Sequence, residues 1–210
     1  MNTSITATDR QFRILYVCVG NLCRSVLAEH LTLRAITEWP PALSHRFHVH
    51  SAGTRGRDRQ PMHPYTAQVL TARGASPAAF TTSRLTAAAI RGADLVLTAT
   101  VRERDDVLAL HPAAVRRTFT INEFARLAPP DGGGGEHEAD PDLAEDPVAL
   151  AQQRVAAAVR RRGRTRCATG SGVAPDDIPD PDRTLDAFDD CATAIDRAVQ
   201  VILHALSGPR

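Results

Sequence analysis

The 210-residue chain contains no lysine, so all 25 of its basic residues are arginine. This absence excludes the lysine of a nucleotide-binding P-loop, a Schiff-base lysine and every other chemistry that depends on a side-chain amine. Arginine remains suited to the rigid, bidentate binding of phosphate. The basic residues are balanced by 24 acidic ones, and the formal charge of +1 shows no bias toward polyanions. We therefore expect neither a nucleic-acid nor a membrane partner.

Long apolar runs and a disulfide pattern are also missing from the sequence. No segment approaches the roughly 20 apolar residues of a membrane span, and residues 1–11 are polar, without the apolar region of a signal peptide. Four cysteines at irregular spacing in a chain of this length do not resemble a disulfide framework and fit a reducing compartment better. The sequence therefore predicts a cytoplasmic protein with a disordered N-terminal tail at 1–11.

Short apolar runs alternate with helical patterns along most of the chain. Strand-forming residues are concentrated in four runs, at 12–17, 47–50, 94–98 and 118–121. Apolar residues recur at helical spacing in segments that follow these runs, including 26–38, 64–73 and a closing helix at 185–206. Strands that alternate with helices predict a three-layer α/β domain with a mainly parallel sheet.

The composition of the chain changes after residue 128. Four consecutive glycines and an acidic stretch up to Asp146 predict a flexible loop. A helix is expected at 148–162, and residues 163–174 again have the composition of a loop. We therefore expect residues 12–206 to form one domain that carries a flexible insertion at about 128–175.

The first strand run stops at a cysteine that is separated by five residues from an arginine, Cys18 and Arg24. Backbone N–H groups at a helix N-terminus form a nest that binds phosphate and favours the thiolate of a cysteine pointing into it. Arg24 could hold two oxygens of a phosphoryl group during its transfer, and Ser25 could donate its hydroxyl to the sulfur. Gly20 allows a tight backbone, and Asn21 tolerates an unusual backbone angle. The alternative is a buried strand-end cysteine beside a solvated arginine, which the strand–loop–helix setting disfavours.

The segment VCVGNLCRS at 17–25 resembles the phosphate loop of the low-molecular-weight protein-tyrosine phosphatases, usually written V-C-x-G-N-x-C-R-S. The resemblance extends to SAGT at 51–54, ADLVLT at 93–98 and DIPDP at 177–181, and covers about 12–127 and 176–206. It implies a four-stranded parallel sheet flanked by helices, with the phosphate loop between the first strand and the first helix. It also implies that neither a metal nor another cofactor is needed.

The resemblance assigns a role to each matched residue. Cys18 would be the nucleophile, Arg24 the phosphate clamp, and Asp180 the general acid that protonates the leaving group and then activates water against a cysteinyl-phosphate. The phosphate-binding residues would be Val19, Gly20, Asn21, Leu22, Cys23, Arg24 and Ser25. The expected substrate is a phosphorylated protein or a small aryl phosphate.

Several positions depart from the family's pattern. Val26 replaces the usual proline after the loop serine, with little expected effect on helix entry. Asp182 stands where many members have an aromatic residue that stacks on the substrate ring, and the stretch 55–57, Arg-Gly-Arg, supplies no aromatic residue for the opposite wall. A preference for phosphotyrosine is therefore less firmly predicted than phosphatase chemistry.

The remaining cysteines and histidines leave alternatives open. Cys23 could protect Cys18 from over-oxidation through a reversible disulfide, as the resemblance suggests, or could be a small residue under the loop. We expect Cys191 in the core and Cys167 as an incidental exposed thiol. His48 and His50 have no partner pattern that would complete a metal site.

Two other functions share part of this pattern. A thioredoxin-coupled arsenate reductase has the same fold and loop, but passes oxidation to two further cysteines on a downstream segment. No cysteine lies between Cys23 and Cys167 here. A phospho-ligand binding module without turnover would lack the nucleophile, the clamp or the acid, and this chain contains all three. Both alternatives are therefore less favoured than the phosphatase.

Overall fold

A computed structural model of the protein describes residues 10–128, 146–168 and 176–208, with the side chains of 164–168 left out of the description. Within these ranges the chain forms four β-strands, namely β1 Phe12–Cys18, β2 Phe47–Gly53, β3 Leu95–Thr98 and β4 Thr118–Thr120. The same ranges contain eight α-helices, namely α1 Arg24–Thr37, α2 Pro41–Ser44, α3 Pro64–Ala72, α4 Ala87–Gly92, α5 Val101–Leu110, α6 Ile121–Leu127, α7 Pro147–Ala168 and α8 Leu185–Ser207. A 3₁₀ helix at Pro112–Arg117 leads into β4.

The four strands form one parallel sheet in the order β2-β1-β3-β4, which confirms the predicted fold class. The pairing sets Cys18 opposite Gly53, and Val17 opposite both Ala52 and Thr98. The carboxyl ends of the strands therefore meet at one edge of the sheet, which is where ligands bind in open α/β folds. The loops that follow β1, β2 and β3 lie together at this edge.

Helices cover the sheet on both faces because β1 is apolar on both. Phe12, Ile14 and Tyr16 belong to a large core cluster that includes residues of α1 and α8, while Leu15 and Val17 belong to a smaller one on the other face. Full burial of such side chains contributes about 1.5–3 kcal/mol each. The apolar stripe of α8 is buried along its length, at Phe188, Ala192, Ile195, Val199, Ile202 and Leu206. This burial confirms the predicted closing helix.

The structure corrects one predicted boundary near β4. The fourth strand was expected at 118–121, but it ends at Thr120 and Ile121 begins α6. Thr120 accepts a hydrogen bond from the backbone N–H of Glu123, and the Glu123 side chain accepts one from Thr120. This capping box stops the strand and starts the helix.

The segment expected to be a flexible insertion contains a packed helix. Val148, Ala151, Val155 and Ala158 of α7 are buried in the large core cluster. The helix continues to Ala168, so the loop predicted at 163–174 is wrong for 163–168. Arg162 fixes the helix because its guanidinium lies 3.9 Å from the centre of the Phe119 ring and its Nε lies 2.8 Å from Glu123. The predicted loops at 129–145 and 169–175, and residues 1–9 of the predicted tail, lie outside the described residues.

In the described parts of the chain, every helix is either too short or too polar to cross a bilayer.

Candidate active site

The loop from Cys18 to Ser25 joins the carboxyl end of β1 to the first residues of α1. Cys23 is the N-cap residue of α1, and no side chain caps the helix there. The N–H groups of the first turn of a helix have no partner within the helix and attract anions. The structure thus places the predicted phosphate-binding residues at a helix N-terminus on the ligand-binding edge of the sheet.

The sulfur of Cys18 is buried in this loop and is approached by two polar groups. The backbone N–H of Asn21 donates to Sγ at 3.3 Å, and the Ser25 hydroxyl lies 3.0 Å from it. Ser25 also accepts a hydrogen bond from Nδ2 of Asn21 at 3.0 Å, so its own proton is left for the sulfur. Both groups therefore donate toward the position of a thiolate, as a cysteine nucleophile requires.

Asn21 holds the loop in a conformation that few residues adopt. Its φ of 55° lies in the left-handed region, which asparagine tolerates better than most residues. Its buried amide donates to the hydroxyls of Ser25 and Ser51, and its Oδ1 accepts from the backbone N–H of Ser83 at 2.8 Å. These bonds fix the loop to β2 and to the segment before α4.

Glu29 continues this network on the first turns of α1, four residues after Ser25. Its Oε2 accepts a hydrogen bond of 2.5 Å from Ser51, which itself accepts one of 2.7 Å from Asn21. Burial raises the pKa of Glu29 to about 7, although the hydrogen bond from Ser51 opposes that rise. Glu29 was not predicted from the sequence, although it is an acid that lies four residues after the loop serine and directly follows three apolar residues.

Close backbone contact explains the glycine of the SAGT segment. A Cβ on Gly53 would lie 2.8 Å from the carbonyl oxygen of Val19 and 2.9 Å from the backbone nitrogen of Asn21. The next two residues donate their N–H groups to the loop, Thr54 to the carbonyl of Cys18 and Arg55 to that of Val19, each at 2.9 Å. Only glycine lets β2 end against the phosphate loop in this way.

Arg24 is buried, with 4% of its side chain exposed, and is held on three sides. Its Nη1 donates to the carbonyl of Ile178 at 2.9 Å, and its Nη2 lies 3.7 Å from the carboxylate of Glu103. Its Nε lies 2.8 Å from Oδ1 of Asp180, an ion pair whose angle is not that of a hydrogen bond. The structure therefore brings together two predicted site residues, Arg24 and Asp180. Glu103, on α5, was not found from the sequence.

The segment that carries Asp180 is attached to the carboxyl end of β3. The backbone N–H of Ile178 donates to Ala99, and Oδ1 of Asp177 accepts from the N–H of Val101 at the start of α5, both at 2.8 Å. The side chain of Asp180 remains 69% exposed, so a substrate can reach it. Asp177 accepts the bond from Val101, and Asp182 forms no ion pair with Arg24, so Asp180 is the aspartate of this segment that pairs with the guanidinium.

Cys23 lies beneath the loop next to Cys191 of α8, and both thiols are buried. A hydrogen bond between them raises the pKa of Cys23 and lowers that of Cys191. The prediction that Cys191 lies in the core is confirmed, whereas the side chain of Cys167 lies outside the described residues. His48 and His50 are neighbours, with ring centres 5.4 Å apart, and no described residues gather around them as a set of three metal ligands.

Comparisons with known proteins agree with this geometry. The family model described as low molecular weight phosphotyrosine protein phosphatase matches residues 13–134. A curated relative, the probable low molecular weight protein-tyrosine-phosphatase EpsP of Ralstonia solanacearum, is 29% identical over 114 residues, which cover 54% of this chain and 73% of the relative.

Solved structures resemble the fold over most of the chain. The tyrosine phosphatase amsI of Erwinia amylovora aligns with a TM-score of 0.60 and 21% identity over 93% of each chain. A low molecular weight protein tyrosine phosphatase from T. tengcongensis aligns with a TM-score of 0.63 and 20% identity, over 92% of this chain and 99% of its own. At such low identity these two likenesses show the shared fold.

Proposed function

This chain belongs to the low molecular weight phosphotyrosine protein phosphatase family, and from that premise we propose that Cys18, Arg24 and Asp180 carry out its phosphomonoester hydrolysis. The observation that carries the proposal is the ion pair between Arg24 and Asp180, because it joins the phosphate loop to a segment far away in the sequence. A clamp, an acid and a thiol in contact with two donors are what cysteine-dependent phosphoryl transfer needs.

In the first step, the thiolate of Cys18 attacks phosphorus and the bond to the leaving oxygen breaks. Arg24 and the N–H groups of the loop hold the phosphoryl oxygens as their charge redistributes. Asp180 in its protonated form gives its proton to the leaving phenol or alcohol, because an alkoxide leaves poorly without one. The products of this step are a cysteinyl-phosphate and a neutral alcohol.

In the second step, water replaces the cysteine at phosphorus. Asp180, now a carboxylate, accepts a proton from the attacking water, and the sulfur of Cys18 leaves as a thiolate. Ser25 stabilises that thiolate, because its hydroxyl already lies 3.0 Å from the sulfur and has its acceptor side occupied by Asn21. Inorganic phosphate is released and the starting site is restored.

The substrates of this reaction are phosphorylated proteins or small aryl phosphates, and residues 12–206 act as a single domain. The family assignment does not favour an arsenate reductase. A binding module without turnover is disfavoured because the chain has a residue for each proposed role, with Cys18 beside the Ser25 hydroxyl and Arg24 paired with Asp180.

The test is hydrolysis of p-nitrophenyl phosphate and a phosphotyrosine peptide by the parent chain and by Cys18→Ser. We expect the substitution to abolish turnover without loss of fold, because an alcohol in the same position stays protonated and is a poor nucleophile. Acid quenching of the parent during turnover should trap phosphate on Cys18, and Cys167→Ser is the matched control. Turnover by Cys18→Ser within about tenfold of the parent would contradict a covalent mechanism at this residue.

A further inference from the structure

One wall of the candidate active site is formed by residues 54–60, which follow β2. The N–H of Arg55 donates to the carbonyl of Val19 in the phosphate loop at 2.9 Å. A Cβ on Gly56 would lie 3.1 Å from the carbonyl oxygen of Gly20. The backbone on both sides of Arg55 is therefore in contact with the phosphate loop, and this wall begins at the rim of the site.

The wall is held in a defined conformation. Thr82 accepts a hydrogen bond from the N–H of Arg59 at its carbonyl and from the N–H of Gln60 at its hydroxyl, both at 2.9 Å. The Thr82 hydroxyl also donates to the carbonyl of Arg57, and the N–H of Arg84 donates to Asp58 at 2.6 Å. These bonds use the backbone of the wall and the side chain of Asp58, so the arginine side chains of the wall take no part in fixing it.

The wall presents positive charge to solvent. Arg55, Arg57 and Arg59 are exposed, and none of them forms an ion pair with any residue in the described part of the chain. The single acid in this stretch, Asp58, already accepts from the backbone of Arg84. Residues 54–60 include no aromatic side chain that could stack on a phenol ring. Unpaired like charges at the mouth of a cleft attract anions and raise their association rates.

We propose that Arg55, Arg57 and Arg59 make the enzyme select phosphotyrosine peptides in which Asp or Glu flanks the phosphotyrosine; this inference rests on the proposed function. The phosphate group is held by the loop, so these arginines act on the rest of the peptide. An extended peptide rises about 3.3 Å per residue, which places the first three flanking residues within about 10 Å of the phosphotyrosine. That distance is comparable to the Debye length of about 8–10 Å near physiological salt, so their charges are only partly screened from the wall.

The experiment compares kcat/KM for three phosphotyrosine peptides of equal length, with acidic, neutral or basic residues at the three positions on each side. We expect the acidic peptide to be hydrolysed about tenfold more efficiently than the neutral one at low salt, and the basic peptide to be the poorest substrate. The preference should fall to less than about threefold near 0.5 M sodium chloride, where the Debye length is only a few ångströms. Equal kcat/KM for all three peptides would overturn the proposal.

A triple substitution, R55Q/R57Q/R59Q, should abolish the preference among the peptides, and measurable hydrolysis of p-nitrophenyl phosphate, which has no flanking residues, checks that the site is still formed. The matched control is R91Q/R116Q/R197Q, which removes the same charge from exposed positions at the opposite edge of the sheet and on α8. Retention of the preference in the first variant, or its loss in the control, would overturn the proposal. A parent enzyme that hydrolyses neither p-nitrophenyl phosphate nor any peptide would instead overturn the proposed function.

Discussion

Replacing Glu29 with glutamine should remove a large part of the enzyme's loss of stability as pH rises toward neutral. The folded structure partly buries the Glu29 carboxyl, and this desolvation raises its pKa from an ordinary 4.5 to about 7. A carboxyl with a raised pKa binds its proton more tightly in the folded state than in the unfolded state. The stabilisation that the protonated carboxyl provides is therefore complete below pH 4.5 and is lost progressively between pH 4.5 and about 7. Above that range Glu29 causes no further change in the unfolding free energy.

The expected size of this effect follows from the shift. Each pKa unit corresponds to 1.36 kcal/mol, so a rise from 4.5 to about 7 gives about 3 kcal/mol of unfolding free energy as an upper figure. Glutamine has nearly the same shape, stays neutral at every pH and can still accept the proton of Ser51 through Oε1. The variant should therefore match the parent near pH 4.5 and exceed its unfolding free energy by up to about 3 kcal/mol at pH 8.

Urea unfolding of the parent and Glu29→Gln at pH 5, 6, 7 and 8 measures this difference. Every other titrating group is common to both proteins. The difference between their unfolding free energies at each pH therefore measures the effect of the Glu29 charge. Glu38→Gln is the matched control because Glu38 is exposed at the C-cap of the same helix. Parallel curves for the parent and Glu29→Gln would refute the argument that the fold favours the neutral carboxyl.

Three further predictions concern the candidate active site. Asp180→Asn should slow hydrolysis of a substrate with a poor leaving group by about 10²–10⁴-fold, and that of p-nitrophenyl phosphate much less. A larger loss on p-nitrophenyl phosphate than on the poor leaving group, or an equal loss in Asp182→Asn, would contradict the assignment of Asp180 as the acid. Arg24→Lys should lower kcat/KM sharply, because an ammonium cannot reproduce the bidentate contact of a planar guanidinium with phosphate. An unchanged kcat/KM would argue against Arg24 as the phosphate clamp. Mild peroxide should join Cys18 to Cys23 in a disulfide that thiols reverse. Peptide mapping that finds Cys18 only as sulfinic or sulfonic acid, with Cys23 free, would remove the protective role.

The sequence was most informative where function is local along the chain. Cys18, Asn21, Ser25 and Arg24 lie within eight residues between a strand and a helix, so their spacing already predicts a phosphate loop. The strands were predictable for the same reason, since each is a short, buried run bounded by a break. The spacing of Thr120 and Glu123 also marks the start of α6, because a threonine followed three residues later by a glutamate is typical of a capping box.

Contacts between distant parts of the chain could not be predicted in this way. Glu103 reaches Arg24 from α5, and no sequence spacing marks a carboxylate that will face a guanidinium across the fold. The end of α7 was missed because glycine and arginine at 163–166 have the composition of a loop, whereas tertiary contacts of Arg162 with Glu123 and Phe119 fix the helix just before them. Tertiary packing overrides local propensity at such positions.

The attachment of the Asp180 segment has a consequence for the rate of turnover. When an enzyme carries its acid on a lid, closing and opening of that lid on the microsecond-to-millisecond timescale can limit kcat. Here the backbone of Ile178 is bonded to both Arg24 and Ala99, which attaches the segment of the proposed acid to the proposed clamp and to the end of β3. We therefore expect solvent viscosity to affect kcat only weakly. The carboxylates of Glu103 and Asp180 also remain beside the guanidinium of Arg24 as phosphate departs, so product release does not leave that buried charge without a partner.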